Sequence, residues 1–178
     1  MKNCSKGPIR CHNRRLLVLL PLVALSGAAF GHPTAEAQRI GTYDSRAVAI
    51  AYTGSRYFRQ QMGELKALRQ QALQSGDTRE AARLEAQGKA WQVNLHAQGF
   101  GIASVDELLV HIGPQLPRIQ QEAGVTRLVS KWNALELARH PQAERLDLTM
   151  ALVDAFEPSA RQRQYAIEIQ HKAATATP

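Results

Sequence analysis

The sequence predicts a helix-dominated α+β protein, a small β-sheet body from which an antiparallel helical hairpin projects. Three observations predict it. First, Phe58, Met62, Leu65, Arg69 and Ala72 recur at steps of four, three, four and three, and Ala81, Leu84, Gly88, Trp91 and Leu95 at three, four, three and four. Each set falls on one stripe of a helix. Second, Ser75-Gly76-Asp77 between them is a turn signal, and Asp77 with Glu80 three residues on forms a capping-box start for a second helix. Third, short stretches of strand character stand on either side of this pair, at Arg39–Asp44, Val125–Trp132 and Arg145–Leu148.

The hairpin runs from residue 57 to residue 98. If the chain reverses at Gly76, Phe58 faces Leu95, Met62 faces Trp91, Leu65 faces Gly88 and Ala72 faces Ala81. Large residues then meet small ones, and a thioether meets an indole. Arg69 opposite Leu84 is the poor fit. Its stem can cover the leucine while its charge reaches water. These residues form the structural seam. Beside it, Tyr57, Leu68, Leu73 and Val93 are the candidates for contact with another protein.

The first 37 residues read as an address. Lys2, Lys6, Arg10, Arg14 and Arg15 make a basic start, Leu16 to Phe30 is an apolar run, and Ala35-Glu36-Ala37 is an Ala-x-Ala site with cleavage expected between Ala37 and Gln38. The strongly apolar run favours the general export route, although Arg14-Arg15 is also compatible with twin-arginine export. The run is short for a membrane anchor, so the processed chain is not expected to span a membrane. Both cysteines, Cys4 and Cys11, lie in the leader, which leaves no disulfide for the processed chain. Of 22 basic and 15 acidic residues, 17 and 14 remain, a net charge of +3. Without an Arg/Lys block or aromatic–basic alternation, that charge does not suggest nucleic acid.

Along the rest of the chain, Ser45 is a candidate cap for a short apolar helix over Arg46–Tyr52, and Thr53-Gly54-Ser55 bends it into the first arm. Gln98-Gly99-Phe100-Gly101 interrupts the second arm. Ser104 and Glu107 read as a further capping box, for a helix through Ile112 that Gly113-Pro114 and Pro117 kink. Gly124 is a natural helix stop. Asn133–Ala138 is a turn or two of helix, and Thr149 is a candidate cap for a helix carrying Leu152, Val153 and Phe156. Residues 38–156 make one domain. Residues 157–178 make a polar C-terminal helix, capped by Ser159, and a loose tail from Thr175.

Candidate chemistry is sparse. His96, His111, His140 and His171 are scattered, and Glu136 with His140 supplies two ligands where zinc takes three or four. Gly99-Phe100-Gly101 leading to Ser104 lacks the strand that a phosphate-binding loop follows, and reads as a helix break. Asp44, Arg46, Asp106 and Asp147 can gather at the strand ends, either as a small hydrolytic site or as a structural ion pair with caps. With no Gly-x-Ser-x-Gly elbow and no cysteine nucleophile after the leader, the reading is a non-enzyme with no cofactor and no metal.

The order strand, long helical pair, strand, strand, helix resembles the Skp/OmpH-like periplasmic chaperones over roughly residues 39–156. Arg39-Ile40-Gly41-Thr42-Tyr43-Asp44-Ser45-Arg46 resembles their opening strand and helix. Gly76-Asp77 through Gln98-Gly99-Phe100 is similar to their returning arm, Gly124 to Ser130 to their second strand, and Asp147-Leu148-Thr149 to the element closing the body. The opening also resembles a group of exported bacterial proteins sharing Gly-x-Tyr-Asp-Ser-Arg. The family resemblance implies a homotrimer in the periplasm whose coiled-coil arms enclose unfolded outer-membrane proteins without ATP. It departs from the family in its shorter arms, in Gly99, Gly101, Pro114 and Pro117 on the return path, and in its small net charge. An alternative is an envelope protein that docks a single partner through its hairpin.

Overall fold

The structure, a computed structural model, describes residues 39–172. The leader, its Ala37/Gln38 cleavage site and the tail from Thr175 lie outside the described residues. The described chain is helix-dominated α+β: β1 (Arg39–Tyr43), α1 (Ser45–Thr53), α2 (Arg56–Gln74), α3 (Thr78–Gly99), α4 (Asp106–Leu109), a 3-10 turn (Val110–Ile112), α5 (Leu116–Ala123), β2 (Leu128–Ser130), α6 (Ala134–Ala138), β3 (Glu144–Asp147), α7 (Thr149–Ala155) and α8 (Ala160–His171).

All three strands are parallel, in the order β2-β1-β3. Gly41 pairs with Leu128 on one side and Leu146 on the other. The central strand is buried from Ile40 to Tyr43, as expected for a parallel strand covered on both faces. Gly41 lies under two leucines: a Cβ there would stand 2.6 Å from Leu148 Cδ1 and 2.8 Å from Leu128 Cδ2, so both side chains would have to shift to admit one. The edge strand β3 is exposed along its length.

The main core gathers α1 with Val105, Leu108, Ile112, Leu152, Val153 and Phe156. α8 belongs to it: Ala166 is fully buried and Ile169 packs against the same cluster. α2 and α3 leave this core and pack on each other. Among their residues only Ala72, Ala81, Leu84 and Gln98 are buried. Their contacts run in opposite order along the two helices. Phe58 lies beside Trp91 (ring centroids 5.5 Å), Leu65 reaches Gly88, Arg69 pairs with Glu85 at 2.9 Å, and Ala72, Ala81 and Leu84 form a second small cluster with Leu65. Of the seam residues, Phe58, Met62, Leu65, Gly88, Trp91 and Leu95 are half-buried. Arg69 settles its misfit by turning its guanidinium to Glu85.

Rings anchor the feet of these helices to the body. Tyr52 meets Phe58 edge-on at 5.8 Å and Phe156 at 6.1 Å, while His111 stacks on both Tyr52 and Tyr57. Such pairs contribute about 0.5–1.5 kcal/mol each beyond the area they bury.

Several capping assignments need correction. Asp44, not Ser45, caps α1: its carboxylate accepts from Arg46 N at 3.0 Å, and Ser45 is the first helical residue. Ser104 accepts from Asp106 N, but Glu107 does not reach back and instead receives Asn94 and Gln98. The helix expected through Ile112 is α4 followed by the 3-10 turn. Thr149 sits inside α7 and turns its hydroxyl to Asp147. The second strand is only three residues long, Leu128–Ser130, because its pairing with β1 runs only from Gly41 to Tyr43, and beyond it the Trp132 indole turns to Asp44. Asp77 does cap α3, accepting from Glu80 N at 2.9 Å, and Ser159 caps α8. Gly124 ends α5 in the left-handed conformation, φ 64°.

Candidate functional site

In a parallel sheet the carboxyl ends of the strands lie together, and polar groups placed just after them converge. Here Asp44 follows β1, Lys131 and Trp132 follow β2, and Thr149 follows β3. Asp44 is only 2% exposed and Arg46 only 5%. Arg46 binds the carboxylate twice, Nε to Oδ1 at 3.1 Å and Nη2 to Oδ2 at 2.7 Å. Trp132 Nε1 donates to Oδ1 at 2.9 Å, and its ring lies under the guanidinium at 4.3 Å. Asp44 N donates to Thr149 Oγ1 at 2.9 Å, Thr149 Oγ1 donates to Asp147 Oδ1, and Lys131 Nζ pairs with Asp147 Oδ2 at 2.6 Å. Arg46 Nη2 also reaches the carbonyls of Ile169 (3.1 Å) and Lys172 (3.3 Å), which closes the end of α8.

Of the four residues expected at the strand ends, Asp44, Arg46 and Asp147 come together through Thr149. Asp106, exposed at the start of α4, makes none of these side-chain bonds and lines the neighbouring cleft with Tyr43 and Trp132. Sequence reasoning missed Trp132, Lys131 and Thr149. Their position after a strand was a signal, but only the strand order brings them to Asp44. Both Asp44 oxygens are occupied and shielded from solvent, so the cluster is built to hold the strand ends and α8 together. Beside it, burial and then the Asp106 charge push the Tyr43 hydroxyl up to about 12.

The contact candidates lie on the paired helices. Leu68 is 53% exposed, Leu73 45% and Val93 69%. At about 100° per residue, Leu68 and Leu73 flank the α2 stripe on opposite sides, and Val93 faces away from the α3 stripe. The three therefore do not share one patch. Tyr57 is half-buried, stacked on His111 at 5.2 Å with Arg56 over its ring.

Two grooves open where the helical pair meets the body. One, of about 380 Å³, is apolar and lined by Ala49, Ile50, Phe58, Leu95 and the exposed Phe100. The other, of about 420 Å³, is lined by Tyr52, Trp91, His111 and Glu107. Burial and then the charge of Glu107 push the Tyr52 hydroxyl up to about 12, and that hydroxyl donates to Gln61 Oε1. A third cleft, of about 550 Å³, lies beside the ends of β1 and β2, with Ile102 and Leu135 exposed on its rim.

His96, His111, His140 and His171 do not converge, and no group of three His, Cys, Asp or Glu suited to a metal occurs among the described residues. Glu136 is instead engaged by Arg127 at 2.6 Å and Arg139 at 2.8 Å, with His140 at 3.5 Å. No described helix is long and apolar enough to cross a membrane. The fold and these surfaces define a helix-dominated α+β protein with a small parallel sheet and a long pair of packed helices. Comparison with family models, with curated proteins and with solved structures finds no match.

Proposed function

We propose that the protein is an exported, ATP-independent holdase of the Skp/OmpH-like class, acting in the periplasm on unfolded envelope or outer-membrane proteins. In this reading α2 and α3 are a projecting antiparallel hairpin. The observation that carries it is the distribution of exposed apolar side chains. Leu68, Leu73 and Val93 point in different directions from a pair of helices that bury Ala72, Ala81 and Leu84 against each other. Scattered weak contacts suit the capture of unfolded chains, since avidity needs no strong single site. The homotrimer is part of the same proposal. It is supported by the two open edges of a three-stranded sheet, one of them the wholly exposed β3, because open edges are ready to pair with another chain.

The test is aggregation of an unfolded outer-membrane barrel protein followed by light scattering. The processed protein is expected to slow it at a few-fold molar excess, and the triple change of Leu68, Leu73 and Val93 to Ser to remove most of that effect. Unchanged traces with the wild-type protein would count against the reading. A second reading, tethering of one envelope partner, is favoured by the apolar groove around Ile50, Phe58, Leu95 and Phe100, where contact area is concentrated in one place. Phe100→Ser abolishing capture of a single stoichiometric partner, with aggregation assays unaffected, would select it.

A further inference from the structure

We propose that the groove at the foot of the paired helices is a binding site for one organic cation, the ammonium or guanidinium end of a lysine or arginine side chain on a bound polypeptide. The inference rests on the holdase reading and names the client side chain that this groove selects.

The argument starts from Glu107. Its Oε1 accepts from Asn94 Nδ2 at 2.5 Å and from Gln98 Nε2 at 2.9 Å. Gln98 is fully buried, and its Nε2 also donates to the Ser104 carbonyl at 2.8 Å. Exchanging the two ends of that amide would set an oxygen against two acceptors, so the amide is fixed with its nitrogen toward Glu107. The carboxylate is thus held in place by neutral donors alone. It takes part in none of the ion pairs found among the described residues. Its side chain is exposed to solvent, so its charge is held in position and open to a cationic partner from outside.

The rest of the groove suits that charge. Tyr52, Trp91 and His111 bring rings to its walls, and no lysine or arginine lines it. A carboxylate held in position beside largely uncharged walls attracts a cation by charge and by hydrogen bonding. A neutral side chain would desolvate Glu107 without replacing its water, and an anionic one would be repelled. The volume of about 420 Å³ suits a side-chain end, at the small end of the range of ligand pockets, roughly 300–1,000 Å³.

The test follows the two indole Nε1–H signals of the ¹⁵N-labelled protein at pH 8 by two-dimensional NMR. Trp132, whose indole is committed to Asp44, is the internal control. N-acetyl-arginine methylamide and N-acetyl-lysine methylamide are expected to move the Trp91 signal saturably and leave that of Trp132 in place. N-acetyl-citrulline methylamide, which has nearly the shape of arginine without the charge, is expected to move neither. Glu107→Gln, which keeps an acceptor for Asn94 and Gln98, is expected to weaken cation binding about tenfold or more, a loss of at least about 1.4 kcal/mol. An equal response to citrulline, a Trp91 signal unmoved by either cation, or full binding by Glu107→Gln overturns the proposal. Butylammonium separates the sources: binding tighter than that of the lysine amide would overturn the assignment to a polypeptide side chain. Aggregation assays on the same samples keep the two readings apart. Cation binding without a holdase effect preserves the site and removes the client role. A holdase effect without cation binding overturns the groove alone.

Discussion

Asp44 keeps its charge in a buried place because the chain surrounds it with donors. Burial acts to raise its pKa, but the hydrogen bonds from Arg46 and Trp132, with the Arg46 charge, outweigh it and hold the carboxyl below the ordinary 3.8. Folding therefore favours the deprotonated form. The resulting stability is complete above the unfolded value and is lost as pH falls through the lowered folded one. Asp44→Asn leaves Arg46 buried without its counter-charge and is expected to cost about 3–5 kcal/mol at pH 7. Urea unfolding should then show the wild type losing its advantage below about pH 4, and parallel curves down to pH 2 would contradict the assignment. Gly124 is a simpler case. Its left-handed φ of 64° makes Gly124→Ala costly by about 1–2 kcal/mol, measurable in the same titration.

At the scale of the element, α2 and α3 are held by a thin seam, and single changes inside and outside it should act in opposite directions. Leu84 is buried between the helices, and Leu84→Ala is expected to destabilise by about 2–5 kcal/mol. Gly63 is exposed in the middle of α2, and a Cβ there meets nothing within 4 Å. Gly63→Ala is therefore expected to stabilise by about 0.5–1 kcal/mol, through helix propensity alone. Thermal melts followed by circular dichroism would check both signs. The stripes were legible in the sequence because a helical period shows without knowledge of the partner. The contact surface was not legible in the same way. Leu68, Leu73 and Val93 were identifiable as apolar residues off the stripes, but their divergence around the pair emerges only once the seam is fixed.

At the scale of the whole molecule, the last helix closes the structure. Residues 157–178 read as a polar helix and tail, with little in their pattern to demand burial. In the structure α8 lies on α1 with Ala166 fully buried, and its final carbonyls accept from Arg46. Removing residues 157–178 is expected to uncover the apolar α1 face and deprive Arg46 of two acceptors. The truncated protein should bind a hydrophobic dye and melt well below the full chain. A melt within a degree or two of the full chain would mean that α8 adds nothing to the core. For the proposed trimer, the mass in solution by light scattering should be three times that of the processed chain. A monomer at working concentration would remove the enclosed space that the holdase reading uses.

The sequence by itself determined the local elements. The two stripes, the turn at Gly76, the cap at Asp77 and the stop at Gly124 depend on neighbours within a turn or two, which is the range over which periodicity and φ preferences act. Tertiary structure alone decided what lies side by side. The parallel order β2-β1-β3 and the meeting of Asp44 with Trp132 and Thr149 join residues far apart in the chain. Their partners are chosen by burial and by hydrogen-bond satisfaction over the whole core, and no local pattern carries that information.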